Sequence, residues 1–298
     1  MTQGRFGRVL TAMVTPFDDL GALDLGAARS LARWLVANGS DGLVVAGTTG
    51  EGPVLSDQEK LELFAAVAGA VDAPVIAGTT ANNTAHDVEL TRAASSTGVA
   101  GILAVCPYYS RPSQSGIFEH LAAVARATDL PVVVYDIPVR TGRRVQAETL
   151  LALAGQCPNV VGVKDASGDL FGASRLVAEA PAGFEVLCGD DGLLFPFLSV
   201  GATGIISVAS HWCGTEISRA IDLFFKGDHS SALAQYQACL ASFAFESSER
   251  WPNPLPAKAV LRAIGLDVGQ CRLPLGIADD DLNEAAVAVA AAFPALHA

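Results

Sequence analysis

The chain has 298 residues, of which 51% are hydrophobic and 17% charged, a composition that excludes a disordered or fibrous protein. Lysine and arginine total 19 against 31 aspartates and glutamates, and the formal net charge of −12 argues against nucleic acid and anionic membranes as partners. No uncharged apolar run reaches the roughly 18 residues of a membrane span. Residues 1–8 have no apolar stretch typical of a signal peptide. We expect a soluble, cytoplasmic protein.

Short runs rich in Val, Ile and Leu recur along the chain and predict eight strands. Each run is apolar along nearly its whole length, as in strands covered on both faces, and helical stretches separate the runs. The runs are residues 9–14, 42–46, 75–78, 101–105, 132–135, 160–164, 185–188 and 204–208. Because no dinucleotide fingerprint or strand-order switch is visible, the pattern favours a closed (β/α)8 TIM barrel over an open sheet.

Helix starts and ends divide the chain further. Ser56 and Glu59 have the spacing of a capping box, and Asn83 and Ser113 are similar starts. After Gly227 the strand-like runs stop, and residues 230–246, 255–264 and 279–293 have helical patterns. We predict a catalytic barrel over residues 1–227 and a C-terminal helical extension over residues 228–298 that packs on it.

The six cysteines stand singly, without a Cys-x-x-Cys pair or a histidine at metal-ligand spacing. They are predicted to be small apolar fillers rather than ligands. Cys106 is the one held open as a site residue, because it directly precedes Pro107 and two tyrosines. They are Cys106, Cys157, Cys188, Cys213, Cys239 and Cys271.

Polar residues that end an apolar strand are the first candidates for chemistry, since barrel enzymes react at the C-terminal ends of their strands. Lys164 ends one such run, where partial desolvation favours the neutral amine that attacks a carbonyl. Tyr135 ends another and could move a proton, and Arg140 on the next loop could bind a carboxylate. Each residue also has an alternative without a catalytic role. Lys164 would pair with Asp165, the Tyr135 hydroxyl would have an ordinary hydrogen-bond partner, and Arg140 would be exposed without a ligand.

The turn at residues 47–52 (GTTGEG) follows the second predicted strand. Its hydroxyls and backbone N–H groups can hold a small anion. The turn matches neither a G-x-G-x-x-G motif nor a P-loop, so a nucleotide site is disfavoured, and a plain strand-to-helix turn stays open.

Several motifs in this order resemble the family of 4-hydroxy-tetrahydrodipicolinate synthase and N-acetylneuraminate lyase. The resemblance spans nearly the whole chain. Its motifs are residues 47–51 (GTTGE), 76–79 (IAGT), 82–85 (NNTA), 106–112 (CPYYSRP), 135–138 (YDIP), 161–165 (VGVKD), 189–191 (GDD), 204–207 (GIIS) and 253–258 (NPLPAK).

The resemblance implies that Lys164 forms an imine with pyruvate. Thr48 or Thr49 would lie against the pyruvate carboxylate, and Gly189 and Ile206 would also contact substrate. A proton relay would run through Tyr135, Thr49 and Tyr109, the last reaching in from a neighbouring subunit. A homo-oligomer is implied, a dimer or a homotetramer, and no metal or organic cofactor is required.

Arg140 favours the synthases over the other members of the family, because it resembles the arginine with which the synthases hold the carboxylate of L-aspartate-4-semialdehyde. The implied reaction is condensation of that aldehyde with pyruvate, a step of lysine and diaminopimelate biosynthesis. The alternative is a related pyruvate-dependent class I aldolase acting on a sugar acid or a 4-hydroxy-2-oxo acid. A non-catalytic binding or scaffold protein is the hypothesis from another class, and the intact set of Lys164, Tyr135, Tyr109 and both threonines argues against it.

Four positions depart from the commonest family pattern. Asp136 and Gly52 stand where Asn and Ser are more frequent. In lysine-inhibited members a Glu often stands at the position of His86 and a His at that of Lys60. A lysine ammonium would here lose an anionic partner and meet a cation, so weak or absent feedback by lysine is expected.

Overall fold

The computed structural model describes residues 4–293, so residues 1–3 of the predicted polar N-terminus and residues 294–298 of the predicted extension lie outside it. Eight parallel strands close into a barrel in sequence order, with the first strand paired to both the second and the eighth. The strands are β1 Val9–Ala12, β2 Gly42–Val45, β3 Val75–Gly78, β4 Gly101–Val105, β5 Val132–Asp136, β6 Val160–Asp165, β7 Glu185–Cys188 and β8 Gly204–Ser207. The predicted (β/α)8 barrel is confirmed.

Helices follow the strands and cover the outside of the barrel. They are α1 Leu25–Ala37, α2 Asp57–Ala68, α3 Thr84–Ala94, α4 Gln114–Ala125, α5 Pro138–Thr141, α6 Ala147–Gln156, α7 Leu170–Glu179, α8 Leu194–Ser199 and α9 Ser210–Phe225. The predicted capping box is confirmed, since Ser56 accepts from the Glu59 N–H and the Glu59 carboxylate accepts from the Ser56 N–H. Asn83 and Ser113 cap α3 and α4 as predicted.

Two apolar layers hold the barrel together. The larger lies between the strands and the helices, and the smaller fills the barrel interior with side chains that include Leu10, Ile76, Leu103 and Ile206. This double burial explains why the strand sequences are continuously apolar. Phe6 belongs to the interior layer, and a Cβ added to Gly101 would lie only 2.8 Å from its ring.

The C-terminal extension is helical, with α10 His229–Ala238, α11 Leu240–Glu246, α12 Leu255–Ala263 and α13 Asp280–Ala291. The single helix predicted over residues 230–246 is two, because the chain makes a tight turn at Cys239, whose N–H bonds to the carbonyl of Tyr236. Helix α10 packs on α9, and α12 packs on α9 and α13. The division of the chain at residue 227 stays a prediction.

All six cysteines are free and buried, which confirms their reading as apolar fillers. Burial raises the pKa of the Cys106 thiol to about 12, which disfavours the reactive thiolate. Over the part of the chain that the structure describes, no helix is both long enough and apolar enough to cross a bilayer.

Candidate active site

Lys164 and Tyr135 face one another across neighbouring strands at the C-terminal end of the barrel. They are directly opposed in the β5–β6 register, and both side chains are buried. The Lys164 Nζ lies over the face of the tyrosine ring, 4.3 Å from its centroid. A strand-end lysine in this position is shielded from water yet close to a phenol that can move protons.

Two buried carboxyl groups stand one residue beyond this pair. Asp136 and Asp165 are opposed in the same register, and Asp136 Oδ1 accepts a hydrogen bond of 2.9 Å from the Val145 N–H. Burial raises the pKa of Asp136 to about 7, and the nearby Asp165 carboxyl acts in the same direction. Burial likewise raises the pKa of Asp165, against the effect of its hydrogen bonds from Ser167. Ionisation of the Asp136 and Asp165 carboxyls, next to Tyr135 and Lys164, therefore costs free energy.

The loop after β2 is held in a tight and strained conformation. Ala46 and Glu51 bound it with φ of 53° and 54°, which non-glycine residues rarely adopt. A Cβ on Gly52 would lie 2.3 Å from the Ala46 carbonyl oxygen, so no residue other than glycine fits this conformation. Thr48 and Thr49 lie inside this loop, and Thr49 is buried.

Three residues of the C-terminal extension hold the same loop in place through polar contacts. Lys258 and Glu51 form a fully buried ion pair with an Nζ–Oε1 distance of 2.8 Å. The other carboxylate oxygen of Glu51 accepts a 2.8 Å hydrogen bond from the Arg272 N–H. Asn253 Nδ2 donates to Thr49 Oγ1 at 3.0 Å. Desolvation lowers the pKa of Lys258, and Glu51 opposes that effect.

A cavity with about 230 Å³ of water-accessible space opens at this end of the barrel. Three of the predicted site residues, Thr48, Tyr135 and Arg140, line it together. Its other lining residues are Ala46, Gly47, Gly52, Pro53, Lys60, Gly78, Thr80, Ala81, Leu103, Val105, Tyr108, Ile137 and Thr141. The cavity thus combines a largely apolar wall with a few convergent polar groups, as small-molecule sites do.

Other predicted site residues stand at the edge of this arrangement. Ile206 is fully buried inside the barrel, and the Gly189 N–H bonds to the Asp165 carbonyl just beyond β7. Tyr109 does not contribute to the cavity wall within the chain: the residue is 91% exposed, and its φ of 70° turns the backbone at this point.

An acidic and basic cluster borders the cavity beside Lys60. His86 lies 2.8 Å from Asp57 Oδ2 and 3.2 Å from Asp87 Oδ1, and these contacts raise its pKa, that with Asp87 the most. Desolvation lowers the pKa of Lys60, while Asp57 and Asp87 act against it. Lys60 and His86 stand out in the sequence as departures from the family pattern, whereas no motif marks Asp57 or Asp87.

Glu246, the last residue of α11, was also missed. It is buried, and burial followed by the charges of Asp191 and Asp190 raises its pKa to about 9. Lys164 and Arg140 oppose this shift, so the carboxyl lies within electrostatic reach of both. No motif marks Glu246, and Asn253 stood out only as part of a proline-rich tail motif, more than 200 residues from the loop that it contacts.

Comparison with known proteins agrees with this architecture. The sequence model of the Dihydrodipicolinate synthetase family matches residues 5–292. A 4-hydroxy-tetrahydrodipicolinate synthase of Moorella thermoacetica is 49% identical over 275 residues, covering 91% of this chain and 92% of the relative. That of Bacillus subtilis is 45% identical over 272 residues, covering 91% and 93%. The crystal structure of the Cyanidioschyzon merolae enzyme with lysine bound superposes with a TM-score of 0.94 at 42% identity, covering 97% of this chain and 99% of that one.

A closed (β/α)8 barrel with a buried lysine, a tyrosine and a threonine-bearing loop at the C-terminal ends of its strands defines the chain as a barrel enzyme. The chain belongs to the Dihydrodipicolinate synthetase family, and it is a lyase.

Proposed function

We propose that the chain condenses pyruvate with L-aspartate-4-semialdehyde to form 4-hydroxy-tetrahydrodipicolinate, in lysine and diaminopimelate biosynthesis. The observation that carries the proposal is the position of the buried Lys164 Nζ over the buried Tyr135 ring at the barrel mouth. The names of the relatives, at 45% and 49% identity over nine-tenths of the chain, support the choice of reaction. A cytoplasmic location is proposed together with this reaction.

The first half of the reaction forms the nucleophile. The neutral Lys164 amine attacks C2 of pyruvate, and the resulting carbinolamine loses water to give an iminium ion. Loss of a proton from C3 gives the enamine, whose C3 then attacks the aldehyde carbon of the second substrate. The new alkoxide takes up one proton, for which the Tyr135 hydroxyl is the proposed donor, and Thr49 and Tyr109 would return a proton to Tyr135.

The second half releases the enzyme. The amino group of the aldehyde-derived part attacks the imine carbon, the ring closes, and the Lys164 amine leaves. No redox change occurs, and the water lost on imine formation is the only molecule expelled. Every group that takes part in these reaction steps is a side chain of the protein or a substrate atom.

Binding of the two carboxylates follows from the cavity wall. Thr48 and the N–H groups of its loop offer donors for the pyruvate carboxylate beside Tyr135. Arg140 lines the same cavity and offers a bidentate guanidinium for the carboxylate of the aldehyde. Gly189 and Ile206, near the end of β7 and on β8, are proposed to contact substrate on the other side of the barrel mouth.

Tyr109 is the reason for proposing an oligomer. A tyrosine that is 91% exposed on a backbone with φ of 70° cannot serve the cavity of its own chain. Insertion into the site of a neighbouring copy would bury it and complete the relay with Thr49. We therefore propose a dimer as the active unit, alone or as half of a homotetramer.

A coupled assay tests the proposal. Dihydrodipicolinate reductase reports product as loss of NADPH when pyruvate and L-aspartate-4-semialdehyde are supplied. Turnover is expected for the wild type and is abolished by Lys164→Ala, whereas Lys226→Ala, which changes an exposed lysine, is the matched control. A borohydride-reduced pyruvate adduct on Lys164 without turnover would retain the imine chemistry and transfer the reaction to another aldehyde. Absence of both would refute the proposal.

A further inference from the structure

We infer that Asn253 is a positioning residue that fixes the direction of the Thr49 hydroxyl and so the direction of the proton relay. The inference rests on the proposed function, because it gives Asn253 no role except through Thr49. It assigns to the C-terminal extension a part in the chemistry as well as in the fold.

The contact joins two segments that a second, buried contact also holds together. Thr49 lies in the strained loop between Ala46 and Glu51, and it is buried. Asn253 lies directly before α12, and Lys258 on that helix is anchored by its ion pair with Glu51 and by a 2.8 Å hydrogen bond to the Gln270 carbonyl. With both ends fixed, the 3.0 Å hydrogen bond from Asn253 Nδ2 to Thr49 Oγ1 has little freedom to rearrange.

The hydrogen-bonding capacity of a hydroxyl decides what this contact does. A threonine hydroxyl has two acceptor lone pairs and one proton to donate. When Asn253 donates to Thr49 Oγ1, one lone pair is used, and one acceptor site and one donor proton remain. A relay with two partners needs both this acceptor site and this proton, since Thr49 must receive a proton from one tyrosine and pass its own to the other.

An acceptor at position 253 would have the opposite effect. It would take the single Thr49 proton into a hydrogen bond that leads away from both tyrosines. The hydroxyl would then keep two free lone pairs and no available proton, so neither Tyr135 nor Tyr109 could be supplied. Asn253→Asp makes this change with almost no change of shape, because an ionised carboxylate only accepts.

The steady-state kinetics of variants in the full chain provide the test. Asn253→Ala is expected to lower kcat at least tenfold with the KM for pyruvate within about twofold, as loss of relay efficiency predicts. Asn253→Asp is expected to lower kcat further than the alanine variant does. Asn283→Ala is the matched control, because Asn283 is also partly buried in the extension and bonds Arg262 instead.

A double-mutant cycle with Thr49→Val separates positioning from a general loosening of the loop. If Asn253 acts only through Thr49, the double variant has the kcat of Thr49→Val alone. Independent losses that multiply would overturn the inference, as would an unchanged kcat in Asn253→Ala. An impaired Thr49→Val with an unimpaired Asn253→Ala would sink the positioning role and leave the proposed function standing. An unimpaired Thr49→Val would refute both the relay and the role of Asn253.

Discussion

The Nζ of Lys164 lies 4.3 Å from the centroid of the Tyr135 ring, above its face. One tyrosine thus makes two separable contributions. Its ring attracts a cation on Lys164, a contact worth about 0.5–2 kcal/mol in proteins. Its hydroxyl is the group that can transfer a proton. The two contributions can be tested apart, because phenylalanine retains the ring and loses the hydroxyl.

Tyr135→Phe should therefore separate imine formation from turnover. We expect the variant still to form a borohydride-reducible adduct with pyruvate, while kcat falls about 10²- to 10⁴-fold, the usual effect of removing a general acid or base. Turnover in the coupled assay and the mass of the trapped protein measure the two steps. Tyr135→Leu removes the ring as well and should trap less adduct. A kcat near that of the wild type in Tyr135→Phe would contradict the prediction.

Asp136→Asn should change the dependence of stability on pH. The folded state raises the pKa of Asp136 from 3.8 to about 7, so folding favours the neutral carboxyl. The stability that this group contributes is complete below about pH 4 and is lost as the pH rises to about 7. An amide cannot ionise, and its oxygen can still accept from Val145.

The Asp136→Asn variant should accordingly be more stable than the wild type at pH 8, by on the order of 4 kcal/mol, and show no such gain at pH 4. Denaturant unfolding at the two pH values gives the comparison. Asp129→Asn, at an exposed aspartate, is the control and should gain nothing at either pH. Equal unfolding midpoints of wild type and Asp136→Asn at pH 8 would show that Asp136 is ionised without cost.

Lys258→Met should destabilise the protein strongly, because it leaves the Glu51 carboxylate buried without its partner. Removal of one member of a buried pair costs about 3–5 kcal/mol. Glu51→Gln combined with Lys258→Met should recover part of the loss, since no buried charge is left unpaired. Arg175→Met, which breaks an exposed ion pair with Glu148, serves as the comparison and should cost far less. A similar small cost for Lys258→Met would contradict burial of the pair.

Lysine should inhibit weakly or not at all. The two carboxylates beside the cavity, Asp57 and Asp87, are already in contact with His86, and Lys60 lies within their field. An arriving lysine ammonium would have to compete with both bases. Since His120 also contacts Asp87, Lys60→His combined with His86→Glu weakens this competition without abolishing it, and should increase sensitivity to lysine. Strong inhibition of the wild type at low lysine concentration in the coupled assay would contradict the prediction.

The strands were predictable because their burial on two faces leaves a continuous apolar signal. All eight predicted runs are strands, and the N-caps at Ser56, Asn83 and Ser113 are where their hydrogen-bonding groups indicate. The helix predicted over residues 230–246 was wrong in its continuity. Nothing local marks the turn at Cys239, since no glycine or proline stands there.

The candidate site was predictable where a polar residue ends an apolar strand. Lys164 and Tyr135 carry that signal, and the structure brings them together because β5 and β6 are neighbours. Asn253, Glu246 and the Glu51–Lys258 pair carry no such signal. Their importance depends on contacts between distant parts of the chain, and a single sequence does not encode which tail residue meets which loop.

The contacts that hold the loop between Ala46 and Glu51 also constrain the order in which the site can assemble during synthesis. Thr49 and Asn253 are 204 positions apart, and Glu51 and Arg272 are 221 apart. During synthesis all eight strands leave the ribosome before these tail residues exist, so the barrel can close while its loop is still unlocked. A nascent barrel then holds Lys164 in place but leaves Glu51 without its cation. The loop that carries Thr48 and Thr49 therefore reaches its final conformation only after α12 and the segment around Arg272 have docked.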